Sequence, residues 1–410
     1  MDELTRAIDS YLQALCSHPD RHPGRPGNRA ATQLFARVAA ESGLEVRVDE
    51  LDCLDCDAMS ARLSLEGPGG EAEGPRSLRP GPYTTACDVS ASLAAAGTIE
   101  ELEEGGQAGR FAGAILLLHG ELCREQLTPR GYPFYEMPGH VRIHDALDAA
   151  RPAAVVAATG RDPNLAGGAY PFPFIEDGRV DLPNAYLTDV EGRRLLARVG
   201  ERAELQIESR RVPARLEHVV ARAPGSGSGR VVVFGHVDTK MGTPGALDNA
   251  TGTAALLGLA TLLAGWRGRL TVELMPVNGE DYYDATGERR FVADNAGRWD
   301  EIVLGLNADG AGWRDHATEV SLYGCDDAVA GAVRTAIARR QQFVEGEPWY
   351  QSDHSLFPMN GRPAVAVTSN GFAELCAGVT HTSLDSLDIA DPGKVAEISR
   401  FYADVIASLP

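Results

Sequence analysis

The sequence is poor in lysine and has no excess of basic charge. Its 410 residues contain only two lysines, Lys240 and Lys394, so arginine supplies nearly all of the positive charge, and the formal net charge is −20. Binding to nucleic acid depends largely on basic side chains that neutralise phosphates. The charge balance therefore excludes nucleic acid as an expected partner.

Long apolar runs are also missing from the sequence. No stretch approaches the roughly 20 apolar residues that a membrane-spanning helix needs, and the first residues lack the basic segment and apolar core of a secretory signal peptide. The seven cysteines are odd in number and scattered, which is typical of reduced thiols rather than of a disulfide framework. These absences predict a cytoplasmic protein without a membrane partner.

The length and the order of the hydrophobic patterns predict two domains. A chain of 410 residues exceeds what one hydrophobic core usually organises. In its second half short apolar runs alternate with helical patterns, which predicts an α/β domain with a largely parallel sheet. We predict that this domain is discontinuous and covers residues 1–56 and 213–410. Residues 57–212, which are rich in turns and short apolar runs, are predicted to form a β-rich inserted domain.

Acidic and imidazole residues follow several of the apolar runs. Three of these runs cover residues 231–234, 270–277 and 302–306. The polar residues that come soon after them are His236, Asp238, Glu280, Asp281 and Asp309. If the runs are parallel strands, these side chains emerge at the carboxyl ends, where open α/β sheets bind their ligands. Together with His381, farther along the chain, they are typical of a site for zinc or for a hard cation.

Each of these residues also has a purely structural interpretation. His236 and Asp238 are two positions apart and share a face on a strand, so they suit a metal ligand with its orienting carboxylate or an exposed loop pair. Asp248 precedes a run of small residues that suits a helix start, where aspartate is a common N-cap. Close packing of those small residues on the sheet would bring Asp248 toward the pocket.

Glu280 and Asp281 are the sharpest local signal. Adjacent carboxylates after a buried strand repel each other unless a cation neutralises them. Their side chains point in different directions, so one can bind a metal while the other acts as a base. A solvated loop is the alternative, supported by Gly279, although Tyr282 and Tyr283 next to it are unusual for such a loop.

Weaker features leave more than one interpretation open. Asp309 lies in a sequence that also suits a turn, and His381 in one that suits a loop. Cys53 and Cys56 form a single CxxC pattern, whereas a structural zinc site needs four ligands. Asn28 is expected to cap a helix that runs on to about residue 42. The apolar segment Pro171–Ile175 is a candidate lid or dimer contact.

Taken together, the chemistry-bearing segments resemble the zinc-dependent exopeptidases of peptidase family M28. This family includes bacterial leucyl aminopeptidases, aminopeptidase Y, glutamate carboxypeptidase and the glutaminyl cyclases. Six segments match in the order of the family: Gly235–Asp238, Gly245–Gly252, Asn278–Asp281, Asn307–Asp309, Ser352–Phe357 and His381–Asp385. The predicted insert lies where many members carry a protease-associated domain. The resemblance implies a three-layer α/β/α phosphorylase/hydrolase-like domain with a mostly parallel central sheet.

The resemblance also implies a set of metal ligands. His236, Asp248 and Asp309 would bind one zinc ion. Asp248, Asp281 and His381 would bind a second one, so that Asp248 bridges the two ions. The implied cofactor is therefore two zinc ions per chain.

The remaining roles are partly implied and partly open. By the same resemblance Glu280 is the general base and Asp238 orients His236. Asp281 stands where many members have glutamate, and Thr380 where several have a tyrosine that stabilises the oxyanion. The candidates for substrate binding or for support of the ligands are Tyr282, Tyr283, Tyr350, Asp353 and His354.

These features favour a di-zinc metallopeptidase that hydrolyses the N-terminal amide bond of short peptides, as an aminopeptidase or dipeptidase. The alternatives are an amide hydrolase acting on a small peptide-like metabolite, a single-zinc acyltransferase of glutaminyl-cyclase type, and a non-catalytic binding protein on the same fold. The complete set of five ligands favours two metals and hydrolysis. The expected partner is a short peptide or a peptide-like small molecule. The sequence does not predict the side chain of the substrate or the oligomeric state, for which a homo-oligomer is one alternative.

Overall fold

Helices and strands alternate along most of the chain. The computed structural model describes residues 1–18, 20–66, 72–134, 136–160 and 171–409. In chain order the helices are α1 (Glu3–Cys16), α2 (Pro26–Glu41), α3 (Ile99–Gln107), α4 (Pro138–Ala150), α5 (Asp189–Leu196), α6 (Thr251–Leu262), α7 (Thr286–Asp294), α8 (Asp327–Ala338), α9 (Leu356–Met359), α10 (Phe372–Gly378) and α11 (Pro392–Ser408).

The strands fall in both halves of the chain. In chain order they are β1 (Glu45–Glu66), β2 (Ala72–Glu73), β3 (Arg79–Pro80), β4 (Cys87–Ala96), β5 (Ile115–Leu118), β6 (Ala154–Thr159), β7 (Asn184–Thr188), β8 (Arg202–Ala223), β9 (Arg230–Phe234), β10 (Thr271–Met275), β11 (Ile302–Ala308), β12 (Thr318–Tyr323), β13 (Phe343–Glu345) and β14 (Ala364–Ser369).

Contacts divide the chain into two compact units. The discontinuous unit contains Met1–Cys53 and Ala214–Pro410, and the inserted unit contains Leu54–Pro213. The chain passes between them within the long strands β1 and β8.

The sheet of the discontinuous unit is parallel at its centre. Its strands lie in the order β13-β12-β14-β11-β9-β10-β8. The four strands β14, β11, β9 and β10 pair in parallel, whereas β12 and β8 join them antiparallel. Every residue of β9 is buried, as expected of a parallel strand covered on both faces. The predicted α/β class with a mostly parallel central sheet is therefore confirmed.

Helices cover both faces of this sheet. Successive side chains of a strand point to opposite faces. Val231 and Val233 of β9 join the core that α1, α6 and α11 also line. Phe234 instead packs on Phe291 of α7 and Phe357 of α9, with ring centroids 4.8 and 5.0 Å apart. The result is the expected three layers of helix, sheet and helix.

Small residues let α6 approach the sheet closely. A side chain at Gly252 would meet the carbonyl oxygen of Ala308 at 2.4 Å, and one at Gly235 would meet the backbone of Gly252 at 2.8 Å. Residues 251–260 are all buried, and a helix that is apolar all round belongs in a core. The end of β9 and the start of α6 are consequently in direct backbone contact.

The start of α2 differs from the expectation. The helix begins at Pro26, one of the residues favoured at a first helical position, so Asn28 lies inside its first turn and does not cap it. The buried Asn28 amide instead donates to the carbonyl oxygen of Arg21 and to Oδ1 of Asn278, both at 2.8 Å. This side chain therefore ties α2 to the loop that follows β10.

The inserted unit has its own parallel strands. Strands β4, β5, β6 and β7 pair in parallel in that order. Helices α3 and α4 lie between them in the chain, and α5 follows β7 directly. Strands β5 and β6 are buried along their whole length, which requires cover on both faces. The unit is thus mixed α/β in character and not built of strands alone.

The segment Pro171–Ile175 is part of the inserted unit's core. Phe172, Phe174 and Ile175 are buried, and the last two belong to a hydrophobic cluster with residues of β5, β6 and α4. The prediction of a lid or dimer contact is wrong, because a short apolar run has the same sequence whether it covers a surface or fills a core. None of the helices in the described ranges has the length and apolarity that a membrane span requires.

Candidate metal centre

His236 and Asp238 lie just beyond the end of β9, and both are buried. The ring Nδ1 of His236 lies 3.2 Å from the backbone carbonyl oxygen of Asp238. Because a carbonyl accepts hydrogen bonds, the proton of a neutral His236 belongs on Nδ1, and its Nε2 lone pair faces the site. The Asp238 carboxylate is farther from Nδ1, at 3.7 Å.

The Asp238 carboxylate mainly organises the next loop. Its two oxygens accept hydrogen bonds from the backbone N–H groups of Gly279, at 2.9 Å, and Asp281, at 3.1 Å. The loop that follows β10 is thereby held against the loop that follows β9. The predicted orienting role of Asp238 is thus shared between its carbonyl, which faces His236, and its carboxylate, which fixes the loop carrying Glu280 and Asp281.

Three of the predicted residues converge at the ends of β9 and β11. Nε2 of His236 lies 3.1 Å from Oδ1 of Asp248 and 3.5 Å from Oδ1 of Asp309. All three side chains are buried, and their potential ligand atoms lie within 4.8 Å of one another. This group can hold one metal ion.

A second group shares Asp248 with the first. Nε2 of His381 lies 3.1 Å from Oδ2 of Asp248 and 2.9 Å from Oδ1 of Asp281. Asp248 therefore turns one oxygen toward each imidazole. Asp281 reaches His381 despite having a shorter side chain than the glutamate common in the family, and its other oxygen accepts a hydrogen bond from the backbone N–H of Lys240 at 3.0 Å.

The local backbone is adapted to these positions. The peptide between Asp248 and Asn249 is cis, and His381 has a φ of 58°, a left-handed conformation that is rare outside glycine. Asn249 donates from its amide to the carbonyl oxygen of Ala308 at 2.8 Å. The end of β11 and the Asp248 turn are thereby linked, so Asp309 and Asp248 are positioned together.

The donor set fits a divalent transition metal. Nε2 of His236 is buried and makes no hydrogen bond within the described part of the chain, as expected of a nitrogen whose lone pair is reserved for a metal. Imidazole nitrogens with carboxylate oxygens are ligands that suit zinc. Each of the two groups could hold a metal ion, and Asp248 belongs to both.

The electrostatics of the metal-free site also favour the binding of a metal ion. Burial alone would lower the pKa of His236, but the carboxylates of Asp309, Asp238 and Asp248 raise that pKa well above its ordinary value. Burial likewise lowers the pKa of His381, but the neighbouring carboxylates of Asp281 and Asp248 outweigh burial and raise this pKa to about 10. Without metal, the carboxylates thus favour the protonated form of both imidazoles, and metal binding would displace those protons.

Glu280 lies beside both groups without belonging to either. Its Oε2 is 3.9 Å from Nε2 of His236, and its side chain is 14% exposed. Burial raises the pKa of Glu280 well above its ordinary value, and Asp309, Asp281 and Asp353 raise it further against the opposing effect of His236. A carboxyl group with a raised pKa at the edge of a metal site suits proton transfer.

The five weaker candidates divide into buried and exposed residues. Tyr282 and Tyr283 are buried and pack on each other, with ring centroids 4.6 Å apart. His354 is buried as well, and its Nε2 lies 2.7 Å from the carbonyl oxygen of Trp349. Asp353 is fully buried, whereas Tyr350 is 54% exposed. Tyr350 is therefore the most exposed of the five, and His354 holds its own loop.

Sequence reasoning missed the partner of Asp353. Glu288, in the first turn of α7, and Asp353 are both buried, and their carboxyl oxygens have no hydrogen-bond partner among the described residues. Burial, together with the charges of Asp309 and Asp238, raises the pKa of Asp353 to about 8. Burial and the charge of Asp353 raise the pKa of Glu288 well above its ordinary value. In the sequence Glu288 resembles the solvated acids that favour helix N-termini, so no signal singled it out.

Comparison with known proteins agrees with this geometry. Residues 218–406 match the model of peptidase family M28, a range that includes all of the predicted metal ligands and Glu280. Comparison of the sequence with curated proteins gives no match.

Several solved structures are similar over nearly the whole chain. An aminopeptidase from Aneurinibacillus sp. strain AM-1 matches with a TM-score of 0.72 and 18% identity, over 98% of this chain and 92% of that one. BSAP, a zinc aminopeptidase from Bacillus subtilis, matches with a TM-score of 0.71 and 17% identity, over 98% and 94%. A peptidase M28 precursor from Shewanella amazonensis SB2B matches with a TM-score of 0.71 and 16% identity, over 100% and 96%. At these identities the likeness shows a shared fold.

Proposed function

Since this chain belongs to peptidase family M28 through residues 218–406, we propose that it is a metallopeptidase that uses two zinc ions to remove the N-terminal residue of short peptides. In this proposal residues 1–56 and 213–410 form the catalytic domain. Residues 57–212 form a protease-associated-like domain inserted into it.

One observation carries the two-zinc assignment. The carboxylate of Asp248 stands between two imidazoles, with Oδ1 and Oδ2 each 3.1 Å from Nε2 of a different histidine, His236 and His381. A carboxylate in that position is suited to bridging two ions, and the third ligands Asp309 and Asp281 complete the two groups.

The chemistry of the reaction would be divided between metal and protein. Bound zinc supplies a lowered pKa for a coordinated water and polarises the scissile carbonyl. Glu280 accepts the proton of the attacking water on a carboxylate oxygen and delivers it to the nitrogen of the leaving amine. Its place beside both ligand groups, with most of the side chain buried, supports this role, which typically contributes roughly 10²–10⁴-fold to the rate.

The second ligand group favours hydrolysis over the alternatives. A single-zinc acyltransferase of glutaminyl-cyclase type has no use for a complete second group, yet Asp281 and His381 meet at 2.9 Å here. A non-catalytic binding protein would not need Glu280 in this position. An amide hydrolase acting on a peptide-like metabolite uses the same chemistry, and a substrate screen distinguishes it from a peptidase.

The test combines metal content with turnover. Protein purified without chelator and equilibrated with zinc is expected to hold two ions and to cleave aminoacyl anilides or dipeptides. Glu280→Gln should keep both ions and lose roughly 10²–10⁴-fold of turnover. Glu345→Gln, which removes an exposed carboxylate paired with Arg334 at the surface, is the matched control. Two bound ions with near-wild-type turnover in Glu280→Gln would contradict the assignment of the base.

A further inference from the structure

The segment from Pro244 to Asp248 is held from both sides by buried side chains of opposite charge. Residues Ala246–Ala250 form a single π-helical turn, which is irregular because Gly245 before it is left-handed and Asp248 within it has non-helical angles. An irregular turn of this length holds a side chain less firmly than a regular helix or strand does. The position of Asp248 therefore depends on contacts from elsewhere in the discontinuous unit.

Arg21 contacts the segment from one side. The residue is fully buried, and its guanidinium donates to the carbonyl oxygens of Pro244 at 3.0 Å and Gly245 at 2.6 Å. It also donates to the carbonyl oxygens of Val237 at 3.2 Å and Leu15 at 2.9 Å. One planar group thus joins the end of α1, the loop after β9 and the Asp248 segment.

Asp385 contacts the segment from the other side. Its carboxylate accepts hydrogen bonds from the backbone N–H groups of Leu247 at 2.7 Å and Asp248 at 3.0 Å. Its backbone carbonyl accepts from the N–H of Ala246 at 3.2 Å. Asp385 is fully buried and follows His381 by four residues in the chain. The turn that carries one histidine ligand thereby also holds the aspartate between the two histidines.

Gly245 makes the close approach from the Arg21 side feasible. Its φ is 59°, and a Cβ atom there would lie 2.9 Å from Nη2 of Arg21, 2.6 Å from the carbonyl oxygen of Asp248 and 2.2 Å from the Thr239 side chain. Any side chain at this position would push the segment away from the guanidinium. The backbone path and the buried arginine are therefore matched to each other.

We propose that Arg21 and Asp385 form a clamp that positions Asp248 with one carboxylate oxygen toward each metal. The inference rests on the proposed two-zinc function. Arg21 and Asp385 touch neither metal nor substrate and act through the Pro244–Asp248 segment, so they are positioning residues. Because both ions share Asp248, a shift of the segment weakens both ligand groups, and the less tightly held ion is lost first.

The test is the zinc affinity of variants, measured by competition with a chromophoric chelator. Arg21→Met removes all four hydrogen bonds and is expected to weaken the less tightly held ion roughly 10–100-fold, the usual effect of losing a contact that supports a metal ligand. Arg21→Lys should fall between wild type and Arg21→Met, since an ammonium group cannot follow the planar fork of a guanidinium.

Arg230→Met is the matched control. Arg230 is buried in the same unit and is paired with Glu273 and Asn295. It lies at the amino end of β9, whereas the ligands follow the carboxyl end. Its loss should lower the thermal midpoint as the loss of Arg21 does, without changing zinc affinity. Millimolar guanidinium added to Arg21→Ala should restore part of the affinity and have no such effect on Arg230→Ala.

Asp385→Asn provides a second variant in case Arg21→Met does not fold. A single amide oxygen can accept only one of the two N–H groups with its former geometry, so zinc affinity should fall here too. Wild-type affinities in folded Arg21→Met or in Asp385→Asn would overturn the clamp while leaving the two-zinc enzyme intact. An equal loss in Arg230→Met would overturn it as well, because the effect would then reflect general destabilisation. Wild-type protein that binds no zinc would overturn the proposed function itself.

Discussion

The two sides of the metal centre are built in different ways. On one side His236 and Asp309 come within two residues of the ends of neighbouring parallel strands, and both are buried. On the other side Asp281 and His381 lie in loops, and the His381 side chain is 24% exposed with a left-handed backbone. We call these the strand side and the loop side. Asp248 is common to both.

The difference shows where the order of each side comes from. The strand side inherits its geometry from the sheet, because parallel pairing of β9 with β11 sets the distance between the strand ends. The loop side depends on individual hydrogen bonds, such as those from Lys240 N–H to Asp281 and from the Asp248 segment to Asp385. Sites on regular elements are more rigid than sites on loops, so the loop side should lose its zinc ion first when the centre is perturbed.

The largest expected effect comes from breaking the element that the two sides share. Asp248→Asn replaces one of the two bridging oxygens by an amide nitrogen, which cannot bind a metal ion. At least one of the two zinc ions should be lost, and turnover with it. Metal analysis of the purified variant checks this, and two ions at wild-type affinity would contradict the bridging role.

Removing one ligand from each side sharpens the comparison. His381→Ala should leave one firmly held ion on the strand side, whereas His236→Ala should leave a single ion that a chelator removes more readily. The reason is that the remaining ligands of the strand side stay buried and fixed by the sheet. Chelator competition on the two variants gives the order, and equal affinities would show that the loop side is as well organised as the strand side.

A third prediction concerns the pH dependence of the metal-free protein. The pKa of His381 is raised from its ordinary value of 6.5 to about 10 in the folded chain. The folded state then binds more protons than the unfolded state between these values, so this contribution to stability is complete below pH 6.5 and is lost as the pH rises toward 10. Thermal unfolding of chelated protein should show a midpoint that falls over this window.

The zinc-loaded protein is the control for that measurement. A metal ligand holds no proton on the coordinating nitrogen, so the contribution of His381 should disappear from the pH profile when zinc is bound. The midpoint should also rise with zinc, because an ion that binds the folded state stabilises it. Identical pH profiles with and without zinc would argue against His381 as a ligand.

The smallest effect is expected behind the strand side, at the buried pair of Glu288 and Asp353. Burial and the charge of Asp353 raise the pKa of Glu288 well above its ordinary value, so the site favours the neutral form of Glu288. Glutamine is neutral and has a similar shape, and Glu288→Gln should therefore change the free energy of unfolding by less than about 1 kcal/mol. Denaturant unfolding checks this, with Glu288→Ala as the variant that should cost more because it leaves a cavity.

Much of this centre could be predicted from the sequence because its residues follow recognisable elements. His236 and Asp309 come after uninterrupted apolar runs, and such runs indicate buried parallel strands whose carboxyl ends share one edge. The resemblance to peptidase family M28 then distinguished Asp248 from an ordinary helix cap. Residues 218–406 match the model of that family, and the structure brings all five predicted ligands together in two groups.

Other features could not be predicted because their sequence signal is shared by unrelated structures. Pro171–Ile175 has the composition of a surface patch and of a core segment alike, and the structure places it in the core. Asn28 suits a helix cap, but its side-chain amide donates a hydrogen bond to Asn278, which lies far away in the chain. Glu288 looks like a solvated acid until the fold buries it beside Asp353.

The sequence by itself determined the α/β class, the mostly parallel sheet and the identity of the groups that can bind metal, because these depend on local periodicity and on side-chain chemistry. Only the tertiary structure decided that Arg21, more than 200 residues before Asp248 in the chain, would donate hydrogen bonds to the carbonyl oxygens of the Asp248 segment. Contacts of that kind leave no local pattern in the sequence, since the hydrogen-bonding groups of the two partners meet only when the chain has folded.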